Sequence, residues 1–149
     1  MILEAIARRL SLRRILRENN AEYLDRYSIR GYSPSKERGL TAYLHHFLSH
    51  DEDGHHNHPW NWSFSIVLRG GYTEERLDPD SGETWYVTHR TGNLNILMGS
   101  DYHRIEELHG DTWTLFVCGP LSGKSWGFNM PGRGHVPWKT RLRERGFNV

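Results

Sequence analysis

The sequence predicts an all-β domain, an antiparallel barrel or sandwich, with one α-helix at its amino terminus. From about residue 40 onward, segments rich in aromatic and β-branched residues recur roughly every 8–12 residues, the strand spacing of sandwiches and barrels. Turns rich in glycine or aspartate separate these segments. The first residues instead place apolar side chains at a helical period.

The amino-terminal pattern predicts a helix over residues 2–18. Its apolar side chains recur at close to the helical period of about 3.6 residues, and arginines occupy much of the remainder. We expect the apolar stripe to pack on the outside of the barrel, and Asn19 and Asn20 to end the helix. The stripe consists of Ile2, Leu3, Ile6, Leu10, Leu12, Ile15 and Leu16.

Seven strands are predicted in the barrel region, residues 40–120. They cover residues 41–48, 60–68, 71–77, 84–90, 93–98, 102–108 and 112–118. Beyond them, residues 121–149 are predicted to form an aromatic and basic carboxy-terminal tail, because glycine and proline are frequent at its start and arginine at its end.

Length and composition favour a single cytoplasmic domain over residues 1–149. A chain of 149 residues has no room for a second core of ordinary size. Nineteen Lys and Arg residues balance 18 Asp and Glu residues, and this near-neutrality argues against nucleic-acid binding. No apolar run approaches the about 18 residues of a membrane span, so we expect no membrane partner. The single cysteine, Cys118, excludes an internal disulfide.

The histidines predict a metal site. His56 and His58 are two residues apart, and such residues point to the same face of a strand. His103 follows a glycine turn at the start of a later strand and can supply a third imidazole, the commonest protein metal ligand. We therefore predict a divalent metal held by these three histidines. His55 remains the alternative to one of the pair, because a bulge would exchange the two faces.

Two motifs around these histidines resemble those of the cupin superfamily. His56 and His58 match the first, roughly G-x5-H-x-H-x3,4-E-x6-G, and Gly70 falls at its closing glycine. Gly92 and His103 match the second, roughly G-x5-P-x-G-x2-H-x3-N. The resemblance covers about residues 40–118 and implies a double-stranded β-helix, an antiparallel jelly-roll barrel.

The chain also departs from both motifs. The glutamate of the first would fall near Trp62 or Ser63, and neither is a carboxylate. Met98, Ser100 and Glu107 stand where the second motif has proline, glycine and asparagine. Three histidines without the acid resemble the 3-His cupins, of which the cysteine-dioxygenase-type thiol oxygenases are the best-known class. Residues 43–47, 68–72, 126–128 and 136–138 are similar to small uncharacterised cupins of phage and bacterial genomes.

This resemblance implies a mononuclear non-haem iron oxygenase that acts on a small substrate, a thiol or a carboxylate, with Fe(II) as its metal. Ligand type alone leaves Zn, Ni, Mn and Cu open, because imidazole suits several of these ions. Two other functions stay open as well. One is a metal-dependent isomerase or hydrolase, and the other is a non-catalytic protein that binds a ligand or a partner.

Five residues are candidates for the substrate pocket or for support of the metal ligands. Tyr43 is a polar wall candidate, and His45 lies on the strand before the metal segment, where either it or its neighbour must face inward. Trp62 shares its alternation with His58 (as do Trp60 and Phe64), so we expect these aromatic side chains inside the barrel.

The remaining two candidates are charged. Arg69 can bind a substrate carboxylate through two hydrogen bonds. Glu107 shares the alternation of His103 and can accept a hydrogen bond from an imidazole N–H. We also expect a homodimer, because an open barrel leaves sheet edges that a second copy can cover.

Overall fold

The computed structural model describes residues 2–17, 20–29, 39–51 and 53–148, and most of them lie in antiparallel strands. The predicted all-β class with an amino-terminal helix is confirmed. The elements are α1 (Ile2–Ala7), β1 (Ser11–Leu16), β2 (Glu22–Ser28), β3 (Thr41–Phe47), β4 (Trp62–Arg69), β5 (Gly71–Leu77), β6 (Thr84–Arg90), β7 (Leu94–Met98), β8 (Tyr102–Leu108), β9 (Trp113–Cys118), β10 (Gly127–Met130), β11 (Gly134–Pro137) and α2 (Trp138–Glu144). Neither described helix is long and apolar enough to cross a membrane.

Two antiparallel sheets form the barrel. The larger has the strand order β1-β2-β3-β9-β4-β7, and the smaller has the order β6-β5-β8. His56 extends the smaller sheet, because its backbone bridges His103 of β8 on one side and Phe128 of the β10–β11 hairpin on the other. The sheets meet where the hydroxyl groups of Tyr72 and Ser65 lie 3.2 Å apart.

The two faces of the large sheet have different neighbours. Tyr43, Phe116 and Cys118 point into the barrel and form one buried cluster. Leu44 and Trp113 point outward and pack against α1. The amino-terminal segment does pack on the outside of the barrel, through Leu3, Ala7 and Leu10. Most of the predicted apolar stripe does not take part, because Ile2, Ile6, Leu12 and Leu16 are exposed.

The amino-terminal helix is much shorter than predicted. It ends at Ala7, and part of the segment predicted as helix forms β1 at the edge of the large sheet. Pairing with β2 overrides the helical period, and the Arg14 guanidinium binds both oxygens of Asp25 at 2.6 and 2.9 Å. Asn20, at φ 64°, turns the chain between the two strands, a conformation that asparagine tolerates. Asn19 and residue 18 lie outside the described residues.

Regular structure occupies much of residues 121–149, the segment predicted as an aromatic and basic tail. Gly127 begins the β10–β11 hairpin, and a Cβ there would lie 2.1 Å from the carbonyl oxygen of Val136. Helix α2 follows, and the Trp138 ring stacks on Trp126 with centroids 5.6 Å apart. Close strand approach therefore explains Gly127, whereas Gly132 and Gly134, at φ 72° and 67°, serve the turn of the hairpin.

The outer face of β4 and β7 is apolar and open to solvent. Phe64 of β4 lies opposite Ile96 of β7, and Ile96 is 57% exposed. Leu94 and Met98 on the same face are 54% and 51% exposed. A contiguous exposed apolar face of this kind is typical of an interaction surface.

Candidate metal centre

Three histidines from two parts of the chain converge inside the barrel. His56 and His58 come from the segment between β3 and β4, and His103 comes from β8. The His56 and His103 backbones exchange N–H···O hydrogen bonds of 2.9 and 3.0 Å, which fixes the two segments side by side. Ring nitrogens of the three histidines lie within 4.8 Å of one another, and Nε2 of His58 lies 2.9 Å from Nε2 of His103.

A buried carboxylate orients His103. Its Nδ1 donates to Oε2 of Glu74 at 2.8 Å, and the Glu74 side chain is fully buried. The same carboxylate accepts hydrogen bonds from His89 at 3.0 Å, Arg76 at 2.8 Å and Asn95 at 3.1 Å. Both carboxylate oxygens therefore have two donors each, so Glu74 holds His103 in one ring orientation and one tautomer.

A second carboxylate orients His56. Nδ1 of His56 lies 3.0 Å from Oδ2 of Asp51, and the other Asp51 oxygen accepts the backbone N–H of Asp53 at 3.0 Å. The Asp51 backbone N–H donates to the carbonyl of Ile105 at 2.7 Å. With Nδ1 engaged in both His56 and His103, Nε2 is the nitrogen that each ring leaves for another partner.

Burial keeps two of the three imidazoles neutral near pH 7. It lowers the pKa of His58 well below the ordinary histidine value, and the neighbouring His103 and His56 act in the same direction. Burial also lowers the pKa of His103, although the hydrogen bond to Glu74 opposes it. Neutral imidazole is the form that binds a metal, so both rings are ready to act as ligands.

Glu74 and His56 have shifted pKa values as well. Burial alone would raise the pKa of Glu74, but hydrogen bonds from His103 and His89 outweigh it and hold this pKa far below the ordinary range. Burial would lower the pKa of His56, but the charge of Asp51 and its hydrogen bond raise it overall. Glu74 is therefore ionised, and His56 is the histidine that retains its proton to the highest pH of the three.

The geometry fits a divalent ion. Two imidazole nitrogens at about 2.1 Å from one ion lie about 3.0 Å apart when they are at right angles and about 3.4 Å apart in a tetrahedral site. The distance of 2.9 Å between Nε2 of His58 and Nε2 of His103 is that of a hydrogen bond between the rings and lies close to the right-angle value. Three protein ligands leave coordination positions open, as catalytic metal sites do and structural sites do not.

Two of the five predicted pocket residues lie in the barrel beside this centre. His45 is buried, stacks on Phe116 with centroids 4.9 Å apart, and lies 5.8 Å from the Tyr43 ring. The Phe116 ring in turn lies 6.1 Å from that of His58. His46, the neighbour of His45, points outward and stacks on Trp113.

Trp62 and Phe64 point away from the barrel, contrary to the prediction. Trp60 packs inside against Phe116, but the chain then bends at Asn61, and the alternation shifts by one residue. In β4 the buried positions are consequently those of Ser63 and its alternate neighbours. The bend between Trp60 and β4 breaks the strand geometry on which the prediction for Trp62 relied.

Arg69 and Glu107 are also outside the centre. Arg69 binds Glu4 of α1 and, at 2.7 Å, Asp111 on the outer surface. Glu107 is exposed because the pairing of β8 with β5 contains an irregularity: Ile105 lies opposite Glu74, but Glu107 lies opposite Thr73. The extra residue reverses the alternation, and Glu74 accepts the imidazole hydrogen bond that was expected of Glu107.

Sequence reasoning missed Glu74, His89, Asp51 and Arg26. One signal could have found Glu74, because it shares the alternation of Tyr72 on β5, and both side chains are buried. Nothing in the local pattern distinguishes Asp51 from the polar turn in which it lies.

Comparisons with known proteins support the fold at low sequence identity. No family model and no curated protein sequence matches the chain. Among solved structures, hydroxypropylphosphonic acid epoxidase from S. wedmorenis aligns with a TM-score of 0.53 and 15% identity over 76% of this chain and 56% of that one. A structure titled Fe(II)-HppE with an alternative substrate gives 0.56 and 14% over 76% and 57%.

Oxalate decarboxylase from Bacillus subtilis, at pH 4.6, aligns with a TM-score of 0.60 and 13% identity over 95% of this chain. The chain spans a little over half of the epoxidase and 36% of the decarboxylase. Both neighbours have the cupin fold. The chain therefore has the cupin fold, a double-stranded β-helix of antiparallel strands, and the ring nitrogens of its three clustered histidines are close enough together to hold one metal ion.

Proposed function

We propose that His56, His58 and His103 bind one divalent ion, and that with Fe(II) the protein is a mononuclear non-haem iron oxygenase for a small thiol or carboxylate. One observation carries the proposal: three imidazole nitrogens converge while buried carboxylates hold two of the rings by their other nitrogen. Carboxylate-supported histidines are the usual arrangement of protein metal sites.

The charge of the ligand set supports an anionic substrate. Three neutral imidazoles add no charge, so a bound ion keeps its full 2+ and attracts anionic ligands to its open positions. The structural similarity to Fe(II)-HppE supports iron as the ion. Bound Fe(II) would supply the positions at which O2 and the substrate meet.

The chain's own residues orient the ligands and exclude water. Glu74 and Asp51 hold the His103 and His56 imidazoles, so these two rings do not have to reorient when an ion binds. Phe116 and Trp60 form an aromatic wall beside His58, with ring centroids 6.1 and 5.7 Å from it. An apolar wall of this kind strengthens electrostatic interactions at the centre.

Oxygen consumption by the iron-loaded protein tests the catalytic proposal. Protein purified without a metal-affinity tag is loaded anaerobically with Fe(II) and mixed with O2 and a panel of small thiols and carboxylates. We expect uptake with at least one substrate class and none with His103→Ala. Stoichiometric binding of iron without any uptake would contradict the oxygenase. Turnover of a substrate by the zinc form without O2 would support an isomerase or hydrolase instead.

A further inference from the structure

Arg26 places a positive charge inside the barrel. It lies on β2 directly opposite His45 of β3, and its Nε donates to Nε2 of His45 at 3.1 Å. Its guanidinium carbon lies 4.7 Å from the centre of the Tyr43 ring. His45 is uncharged, because burial and the Arg26 charge hold its pKa well below the ordinary value.

Within the described part of the chain, no carboxylate forms an ion pair with Arg26. The arginines nearer the surface have carboxylate partners, as the pairs Arg14–Asp25, Arg69–Asp111, Arg104–Glu75 and Arg133–Glu144 show. Burial lowers the pKa of Arg26, which is the direction expected for a cation that loses water without gaining an anion. A guanidinium in this position normally requires a counterion.

The two terminal nitrogens of Arg26 are its unused donors. Nε is engaged by His45, and none of the described residues accepts a hydrogen bond from the other two nitrogens. The residue keeps part of its surface accessible. Two parallel N–H donors match the two oxygens of a carboxylate or a similar oxyanion.

The guanidinium also lies close to the candidate metal centre. His45 stacks on Phe116, and Phe116 lies beside His58, so a single aromatic ring separates the Arg26–His45 pair from the first ligand. The Arg26 charge is near enough to contribute to the lowered pKa of His58. The guanidinium and the candidate metal centre are therefore neighbours inside the barrel, with the Phe116 ring between them.

We propose that Arg26, oriented by His45, is the oxyanion-binding group of the barrel and recognises the carboxylate, or a sulfonate or phosphonate in its place, of a small ligand. The position of that ligand next to the metal rests on the proposed function. Anion binding by Arg26 does not, because the guanidinium and its partners are in place in the protein alone.

Anion titrations of metal-free and metal-loaded protein test this inference. Sodium acetate and sodium methylphosphonate are the probes, at an ionic strength held constant with sodium chloride. The readouts are the melting temperature and the NMR signal of the Arg26 Nε–H, which the hydrogen bond to His45 makes observable. The variants are Arg26→Gln, Arg26→Lys and the control Arg90→Gln, which removes an equal charge at an exposed position on β6.

We expect a saturable shift of the Arg26 Nε–H signal and an anion-dependent rise in melting temperature for wild type and Arg90→Gln. Arg26→Gln should bind the anions on the order of 10–100-fold more weakly, the loss expected for hydrogen bonds to a charged group. The anion affinity of Arg26→Lys should lie between those of wild type and Arg26→Gln, because lysine keeps the charge but lacks the paired donors. Without anion, Arg26→Gln should melt at or above the wild-type temperature, since it removes a buried charge.

Equal anion responses in Arg26→Gln and Arg90→Gln would overturn the proposal, as would an unmoved Arg26 signal in wild type. A lower melting temperature of both Arg26 variants, combined with that unmoved signal, would assign the residue a structural role. Metal content measured on the same samples separates the two proposals. Metal binding without an anion response refutes only this one, and an anion response without metal binding refutes only the metal centre.

Discussion

Replacing Glu74 with glutamine tests how the metal ligands are held. The side chain keeps its size but loses its charge, and its amide turns two hydrogens toward groups that now donate to a carboxylate oxygen. Those groups are His103 and Asn95 at one oxygen and His89 and Arg76 at the other. Whichever oxygen the amide nitrogen replaces, the two groups that donated to that oxygen then face another donor and lose their hydrogen bonds.

The cost follows from the lost hydrogen bonds. Each hydrogen bond to a charged group contributes about 1.5–3 kcal/mol, so losing two of them in a fully buried site predicts about 3–6 kcal/mol of destabilisation. Metal affinity should fall by about 10–100-fold, the usual effect of removing the partner of a ligating histidine, or about 1.4–2.7 kcal/mol.

Urea unfolding of the metal-free protein measures the destabilisation, and competition with a chelator measures the metal affinity. Glu75→Gln is the matched control, because this adjacent carboxylate is also buried but binds Arg104 at 2.7 Å and lies 3.2 Å from His55. We expect the control to keep metal affinity within about twofold of wild type. Equal affinities of Glu74→Gln and wild type, or equal losses in both variants, would refute this role of Glu74.

Three further predictions concern pH and association. Metal affinity should fall toward acid pH, because protons compete for His56, whose pKa Asp51 raises, and Asp51→Asn should move that fall to lower pH in chelator titrations. Metal-free protein should lose stability toward acid pH, by about 1.4 kcal/mol per pH unit for each extra proton that the unfolded chain binds. The loss is expected because His45, His58 and His103 have lowered pKa values and stay unprotonated in the folded protein, whereas only His56 of these four has a raised pKa. A urea midpoint that does not fall toward acid pH would contradict this prediction. Ile96→Glu on the apolar outer face should abolish the predicted homodimer in sedimentation without changing metal content, whereas a monomeric wild type would exclude that dimer.

Much of the barrel is predictable because its central strands follow simple local rules. The strands β3 to β9 lie close to their predicted positions, since alternating patterns end at glycine turns such as Gly92 and Gly110. The edge strand β1 is not predictable in this way. Its arginines and leucines also satisfy a helical period, and only pairing with β2 decides between the two structures.

Local sequence patterns also predict only part of the candidate site. His56, His58 and His103 can be found from spacing and glycine turns, because local strand geometry determines which way they point. Alternation with Tyr72 can place Glu74 inside the barrel, but its contact with His103 cannot be predicted, since it joins positions 29 residues apart and depends on an irregular strand pairing. Arg26 lies outside any motif, and its place inside the barrel follows only from its register with His45.

The stoichiometry of metal binding tests the central claim most directly. Calorimetric titration of Fe(II) into metal-free protein under anaerobic conditions should show one ion per chain. His103→Ala should bind at least about 100-fold more weakly, whereas His109→Ala, which changes an exposed histidine of the same region, should bind as wild type does. Absence of binding in the wild type, or unchanged binding in His103→Ala, would contradict a three-histidine metal centre in this barrel.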